Sequence, residues 1–473
     1  MTASVKGPAF AAFAALVFAG VCTESGCTAA GPDAASSATP EVVAAPEAPF
    51  PMPAIRVWRS PGRDFRLGDY GGDFNKAINA AAAAGGGRVV VPAGDWPTGK
   101  IHLRSNVELH LDKDAKVVFS DDPKDYLPVV HTSWEGVELL NYSPLVYAYG
   151  CTNVAITGGG TFAPKMDLWR KWFARPPEHM AFTAALYDWC SRVAPLSERD
   201  AVKMPGSNAR PHLIQFNRSA NINLDGFRIR ESPFWTIHLY HSENVVVRNL
   251  DVKAHGHNND GVDVEMTKNV IVENCRFDQG DDAVVIKAGR NQDAWALNRP
   301  SENIVVRNCV IADGHVLLGI GSELSGGVRN VYMHDCRMSG DVRGVFFVKT
   351  NERRGGFVEN IYMKDCSVEM TGKHTPNSAV GAETDVLYQW RNLPTHEVKV
   401  TRIRNIVAEN VYAGRVNHVL GIWGDKRCPI DGVTLKNVTC GSVAKEPIVV
   451  VNAKNVTVDG KAIPSVEGVS PRR

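Results

Sequence analysis

The chain has 473 residues, enough for one elongated domain or two compact ones, so length alone does not choose an architecture. Its 52 Lys and Arg balance 51 Asp and Glu to a net charge of +1, which argues against a nucleic-acid partner or a polybasic membrane-surface role. An acidic ligand has to be recognised by a few local cations and not by bulk charge.

Residues 1–27 read as an export signal, because Lys6 precedes an apolar run from Ala9 to Val21 that is too short to span a membrane. Ser25, Gly26 and Cys27 look like a lipoprotein cleavage site, whereas Glu24 suits one poorly, so lipid anchoring and plain export both stand. The expected location is periplasmic, outer-membrane-anchored or extracellular. Residues 28–54, rich in Ala, Pro and Ser, read as a linker that cannot bury a core. Residues 55–125 are expected to hold an N-terminal cap and the first coils. Phe74, Ala77, Ile78 and Ala81 follow helical spacing ahead of Gly85, Gly86 and Gly87, which predicts a short capping helix stopped by glycine.

From 126 to 470 the chain reads as one catalytic domain, with a loop-rich insertion around 163–210. Between about Asp125 and Arg210 the repeat is interrupted, and Trp134, Trp169, Trp172, Tyr187 and Trp189 crowd that stretch, either as an aromatic wall beside a cleft or, as the safer reading for most of them, as a satellite core. A unit of Asn followed by β-branched residues recurs at 221, 244, 269, 303, 330, 360, 405 and 455. Its first spacings of 23, 25, 34, 27 and 30 are too irregular for a helical repeat. They suit coils with constant strands and variable loops. The predicted fold is all-β, a solenoid of parallel strands stacked about 4.8 Å apart. Cys275, Cys309, Cys336 and Cys366 recur with the same rhythm, as buried thiols would. No zinc-type spacing is present, and neither a metal nor a cofactor is expected.

Asp260 lies 16 residues after Asn244, Asp281 and Asp282 lie 12 and 13 after Asn269, and His315 lies 12 after Asn303. Similar offsets in stacked coils place three carboxylates and an imidazole on one face. Such crowding raises at least one carboxyl pKa and keeps a general acid protonated beside an ionised base. Glycoside hydrolysis needs that division of labour. Adjacent coils alone would set the carboxyls about 5 Å apart, which by the general rule suggests a retaining pair.

Asn258-Asn259-Asp260, Gly280-Asp281-Asp282, Gly314-His315-Val316 and Phe347-Val348-Lys349 occur in an order that resembles the polygalacturonases of glycoside hydrolase family 28. The segments Ser232 to Trp235, Ile286 with Lys287, and Gly321 to Gly327 support the match. The resemblance implies a single-stranded right-handed parallel β-helix of the pectin-lyase-like kind and an inverting, metal-independent hydrolase of pectic polysaccharide. It implies Asp281 as general acid, Asp260 and Asp282 as the groups that position and deprotonate water, and His315 as the tuner of the acid. Lys349 would pair with a substrate carboxylate, and Asn258 and Lys287 join the substrate-binding set.

Two positions depart from the family pattern. Phe347 stands where an arginine normally grips a uronate, and Val316 replaces a glycine. Arg343, Arg353 and Arg354 are near enough to substitute, and otherwise Phe347 implies action on rhamnogalacturonan or on a chain end. The expected partner is a pectic polysaccharide or oligosaccharide, bound by a monomer without nucleic acid. A β-helical pectate lyase and a non-catalytic carbohydrate-binding β-helix are the competing readings.

Overall fold

The computed structural model describes residues 41–43, 47–386 and 397–468. The expected signal at 1–27 and much of the expected linker lie outside the described residues. The short Val and Ile runs form strands, as branching at Cβ favours, and nearly all of them pair in parallel with the equivalent run one coil away. An eleven-stranded sheet, from Ile101–His102 to Ile448–Val451, takes one strand from each coil in chain order. Most other strands join a 22-stranded sheet. The fold is the expected right-handed parallel β-helix.

Within the eleven-stranded sheet, Leu239, Val264, Ile286, Ile320, Val348, Ala382 and Ile422 stack in register and fill the interior. Side chains alternate across a strand, so their neighbours His238, Asp263, Val285, Gly319 and Phe347 form a column on the outward face. That face carries the cleft described below.

The repeated asparagines form a ladder. Asn153, Asn221, Asn244, Asn269, Asn303, Asn330, Asn360 and Asn405 each donate from Nδ2 to an Oδ1 one coil earlier, at 2.8–3.2 Å, beginning with Asn106. All nine have φ between 55° and 61°, a left-handed conformation that asparagine tolerates better than other side chains. Gly432 (φ 79°) takes this place in the following coil, in register between Asn405 and Asn455. The 50 residues that separate those two asparagines are therefore two coils. Cys275, Cys309, Cys336 and Cys366 are buried free thiols, as expected, each donating to the carbonyl two residues before it at 3.2–3.3 Å.

The cap is helix α1 (Phe74–Ala83), whose N-cap Asp73 accepts from the Lys76 amide and whose buried face is Phe74, Ala77, Ile78 and Ala81. The linker reading is corrected over 41–43 and 47–54. Val42–Val43 pairs with Ile55–Arg56, and Val43, Met52, Ile55 and Val57 bury against Val246, Ile271 and Val305 on three successive coils. Too few apolar residues for a core of their own suffice when the coil supplies the other half.

The insertion is also more ordered than the loops expected. An antiparallel hairpin, Val130–Trp134 with Val137–Asn141, precedes helices α2 (Asp167–Lys171) and α3 (Pro177–Ser191). Trp134, Phe182, Leu186, Trp189, Phe234 and Trp235 form a satellite core between hairpin, α3 and coil. Trp169 joins the main core and Trp172 packs on it. A fourth helix, α4 (Asn291–Leu297), fills the 34-residue spacing between Asn269 and Asn303.

Replacing Asn269 interrupts the ladder on both sides and tests the backbone requirement. Asn269→Ala should destabilise by about 1 to 3 kcal/mol for the lost amide bonds and by roughly 1 to 2 more for alanine in a left-handed conformation. Asn269→Gly should lose only the first part. Urea midpoints of the two variants check this, and equal losses would show that φ is not what selects asparagine.

Candidate active site

Four coils bring the predicted residues to one edge of the eleven-stranded sheet. Asp260 precedes strand Val262–Glu265, Asp281 and Asp282 precede Val284–Lys287, His315 precedes Val316–Ile320, and Arg343 precedes Gly344–Lys349. Backbone bonds stack them directly: His315 N donates to Asp281 O at 2.9 Å, and Arg343 N donates to His315 O at 2.8 Å. The glycines in these motifs permit the close approach. A Cβ on Gly261 would lie 2.4 Å from Ala283 O, and one on Gly280 would lie 2.4 Å from the Gly256 backbone. Val316 in place of glycine is accommodated because Gly344 lies opposite it in the next coil.

These side chains line a cleft of about 400 Å³. The Asp281 carboxylate bonds His315 Nδ1 at 2.9 Å and accepts from the Asn258 and Asp282 amides at 3.2 and 3.1 Å. The buried Asp282 carboxylate meets Lys349 Nζ at 3.3 Å. One carboxylate oxygen from each of Asp281 and Asp282 and one ring nitrogen of His315 lie within 4.8 Å of one another. Beneath them Lys287 Nζ reaches Asp260 and Asp263 at 3.3 Å and Glu323 at 3.7 Å, and rests 4.1 Å over the Trp235 ring.

Carboxyl pKa values are lifted here, as crowding demands, and among the three predicted aspartates the lifted one is Asp260. Burial, with Asp281 and Asp282 adding to it, pushes that group up to about 7 against the pull of Lys287. Asp263, buried beside Asp260, is raised well above the ordinary carboxyl range. Burial would raise Asp281 too, yet the hydrogen bond and charge of His315, with Lys349 and Lys287, hold it below its ordinary value. Burial lowers His315, and the Asp281 bond and charge outweigh it, so the imidazole sits above 6.5. The site thus favours a proton on Asp260 below about pH 7 and strengthens the imidazolium form of His315 against an ionised Asp281.

Several expectations need correction. Lys287 is a cleft residue whose ammonium is committed to three carboxylates, so it braces the floor and is not free for a ligand. Phe347 points outward, over Gly319 and Gly381 of the adjacent coils. Of the three arginines weighed for the uronate, exposed Arg343 is the one that lines the cleft with Lys349. Arg353 and Arg354 cannot serve, being buried away from it; Arg354 bonds Ser322 O at 2.7 Å and Asn291 Oδ1 at 2.6 Å. Asn258 contributes its backbone amide to Asp281 and its side chain to Glu135, at 3.2 and 3.1 Å.

Four further lining residues were not among those predicted. Glu135 from the hairpin tip, Arg175 from the turn before α3, Tyr187 of α3 and Arg290 before α4 all line the cleft. A weak signal was present: Glu135-Gly136 lies between two alternating runs, and Phe182, Leu186, Trp189 and Cys190 keep helical spacing.

Comparison with known proteins agrees with this geometry. The model of "Glycosyl hydrolases family 28" matches residues 197–461, more than half of the chain. A probable polygalacturonase of Vitis vinifera is 28% identical over 390 residues, covering 79% of this chain and 70% of that protein. An exo-poly-alpha-D-galacturonosidase of Dickeya chrysanthemi is 27% identical over 54% of this chain and 46% of its own length. Among solved structures, the hyperthermoactive exopolygalacturonase of Thermotoga maritima superposes with a TM-score of 0.75 and 34% identity, covering 86% of this chain and 94% of that one. The chain therefore belongs to glycosyl hydrolases family 28.

Proposed function

We propose that this protein is an inverting hydrolase that releases sugar from the end of a galacturonan chain. The observation that carries the reading is the pairing of Asp281 with His315 and of Asp282 with Lys349, in a cleft closed along one side by the hairpin tip and α3. The similarity to two exo-acting enzymes supports action at a chain end.

In this mechanism the Asp281–His315 pair carries one proton. A sugar that covers the pair removes water and disfavours the separated charges, so the proton moves from His315 Nδ1 onto Asp281. Asp281 then gives it to the leaving oxygen as the anomeric bond breaks. Asp282 takes a proton from water, whose oxygen forms the new bond on the opposite face. Asp260, neutral below about pH 7, orients that water. Arg343 and Lys349 receive the carboxylate of the leaving uronate, a charge-assisted contact for which a guanidinium is well shaped. With Arg343 in the cleft, unbranched galacturonan replaces rhamnogalacturonan as the favoured substrate.

Four outcomes test the reading. Asp281→Asn should lose at least about three decades of reducing-sugar release from oligogalacturonides, in buffer containing EDTA that leaves the wild type unchanged. NMR of fresh wild-type product should show the inverted anomer, and a retained anomer would contradict water activation by Asp282.

Arg343→Ala should lower kcat/KM on trigalacturonate by about one to two decades, as loss of a charge-assisted bond implies. Undiminished turnover would remove Arg343 from the leaving-sugar site.

The fourth outcome concerns pH and stability. His315 is raised above 6.5 in the fold, so its stabilising bond is fully present below the unfolded value near 6.5 and fades as pH rises through the folded one. Asp281 is depressed, and its share is present above the ordinary carboxyl range and is lost only at lower pH. The melting-temperature deficit of His315→Ala should therefore be larger at pH 5.5 than at pH 8.5. A deficit that grows with pH would contradict the imidazolium assignment.

A further inference from the structure

Glu135 and Gly136 are the two-residue tip of the hairpin, with φ of 50° and 80°. A tip of this shape wants positive φ at both positions, and Asn, Asp or Gly normally takes the first. Glutamate gains nothing there from its backbone, so the reason for its presence lies in its side chain. The tip is wedged in place: a Cβ on Gly136 would lie 2.8 Å from Glu323 Cγ and 3.3 Å from Arg290 Cβ. Arg290 Nε donates to Glu135 O at 2.8 Å, and Arg290 Nη2 reaches Glu135 Oε2 at 3.3 Å. Asn258 Nδ2 donates to Glu135 Oε1 at 3.1 Å. Each carboxylate oxygen can accept a second bond, and the side chain, 23% exposed, lines the same cleft as Arg343 and Lys349.

We propose that Glu135 reads the free end of the substrate by accepting the 4-hydroxyl of a terminal, non-reducing uronate. The inference rests on the hydrolytic reading above and adds what selects the chain end. Asp281 delivers its proton on the side of the His315–Arg343 column, so the leaving sugar lies there. The sugar that loses its anomeric bond lies toward the hairpin. C1 and C4 are at opposite ends of a pyranose, which directs its C4 at the tip. In an internal residue of a 1,4-linked chain that oxygen carries another sugar and has no proton to give, and the wedged tip leaves no passage for one. Arg175, exposed in the same cleft and without an ion pair among the described residues, supplies a charge for the carboxylate of the terminal sugar. Burial and the neighbouring Glu323 raise the Glu135 pKa, which lessens its repulsion of that carboxylate.

The test compares trigalacturonate with the trimer whose non-reducing end is 4,5-unsaturated and lacks the 4-hydroxyl. Wild type should favour the saturated trimer by at least about tenfold in kcat/KM. Glu135→Ala should reduce that preference to within about twofold by losing activity on the saturated trimer alone. Glu135→Gln, which keeps an acceptor oxygen, should recover part of it, and Arg175→Gln should slow both trimers alike. Equal use of the two trimers by wild type, or an unchanged preference in Glu135→Ala, overturns the proposal. The same trimers titrated calorimetrically into Asp281→Asn separate recognition from chemistry. Tighter binding of the saturated trimer that disappears in Asp281→Asn with Glu135→Ala supports the chain-end role even where hydrolysis is absent, and equal binding overturns it.

Discussion

Coil-to-coil stacking in register is the constraint on which the rest of the structure depends. A parallel strand can satisfy its backbone groups only by bonding equivalent positions one coil away, so any residue type repeated at a fixed offset becomes a column. The interior columns of Val and Ile, the asparagine ladder and the buried thiols are three products of this rule. The active site is a fourth. Asp281, His315 and Arg343 lie in line because their backbone amides and carbonyls bond one another, and the side chains inherit a spacing set by the strands.

Such a scaffold holds charges in places that they would not choose. Around Lys287 the floor of the cleft gathers Asp260, Asp263, Glu265 and Glu323, with Arg290 and Arg354 as buried cations paired to Glu323. Burying more carboxylates than cations is unfavourable, and protons make up the difference. Asp260 and Glu265 are each pushed up to about 7 by burial, whereas Glu323, against Arg290, is held low despite burial. Protonation at the site is therefore a property of the whole floor, and Lys287 decides how much of it reaches Asp260.

The parts legible in the sequence are those that the repeat writes down. Asn221 to Asn405, the four thiols, the capping face of α1 and the three aspartates all recur at readable offsets. Gly432 hid one coil because it meets the same positive φ without being asparagine. The strap before Val57 was unreadable because its apolar partners, Val246, Ile271 and Val305, are about 190 to 260 residues away in sequence and appear there only as extra valines and isoleucines on the outward face. Arg343 was reachable as a nearby cation, but sequence cannot tell a wall residue from a solvated turn. Which aspartate carries the proton was not legible at all, since it follows from burial and from the Lys287 and His315 contacts, not from residue type.

Register stacking also accounts for the use of an insertion to line part of the cleft. Coils alone make an open groove, since each has neighbours on both sides and the groove runs the length of the cylinder. Closing it requires chain that leaves the repeat, and the hairpin Val130–Asn141 with α3 does so while returning its own apolar face to Phe234 and Trp235 of the coil. That satellite core anchors the hairpin rigidly enough for its tip to be wedged between Arg290 and Glu323. The repeat fixes the reacting groups, and the insertion can then set which part of a polymer meets them without disturbing the register on which catalysis depends.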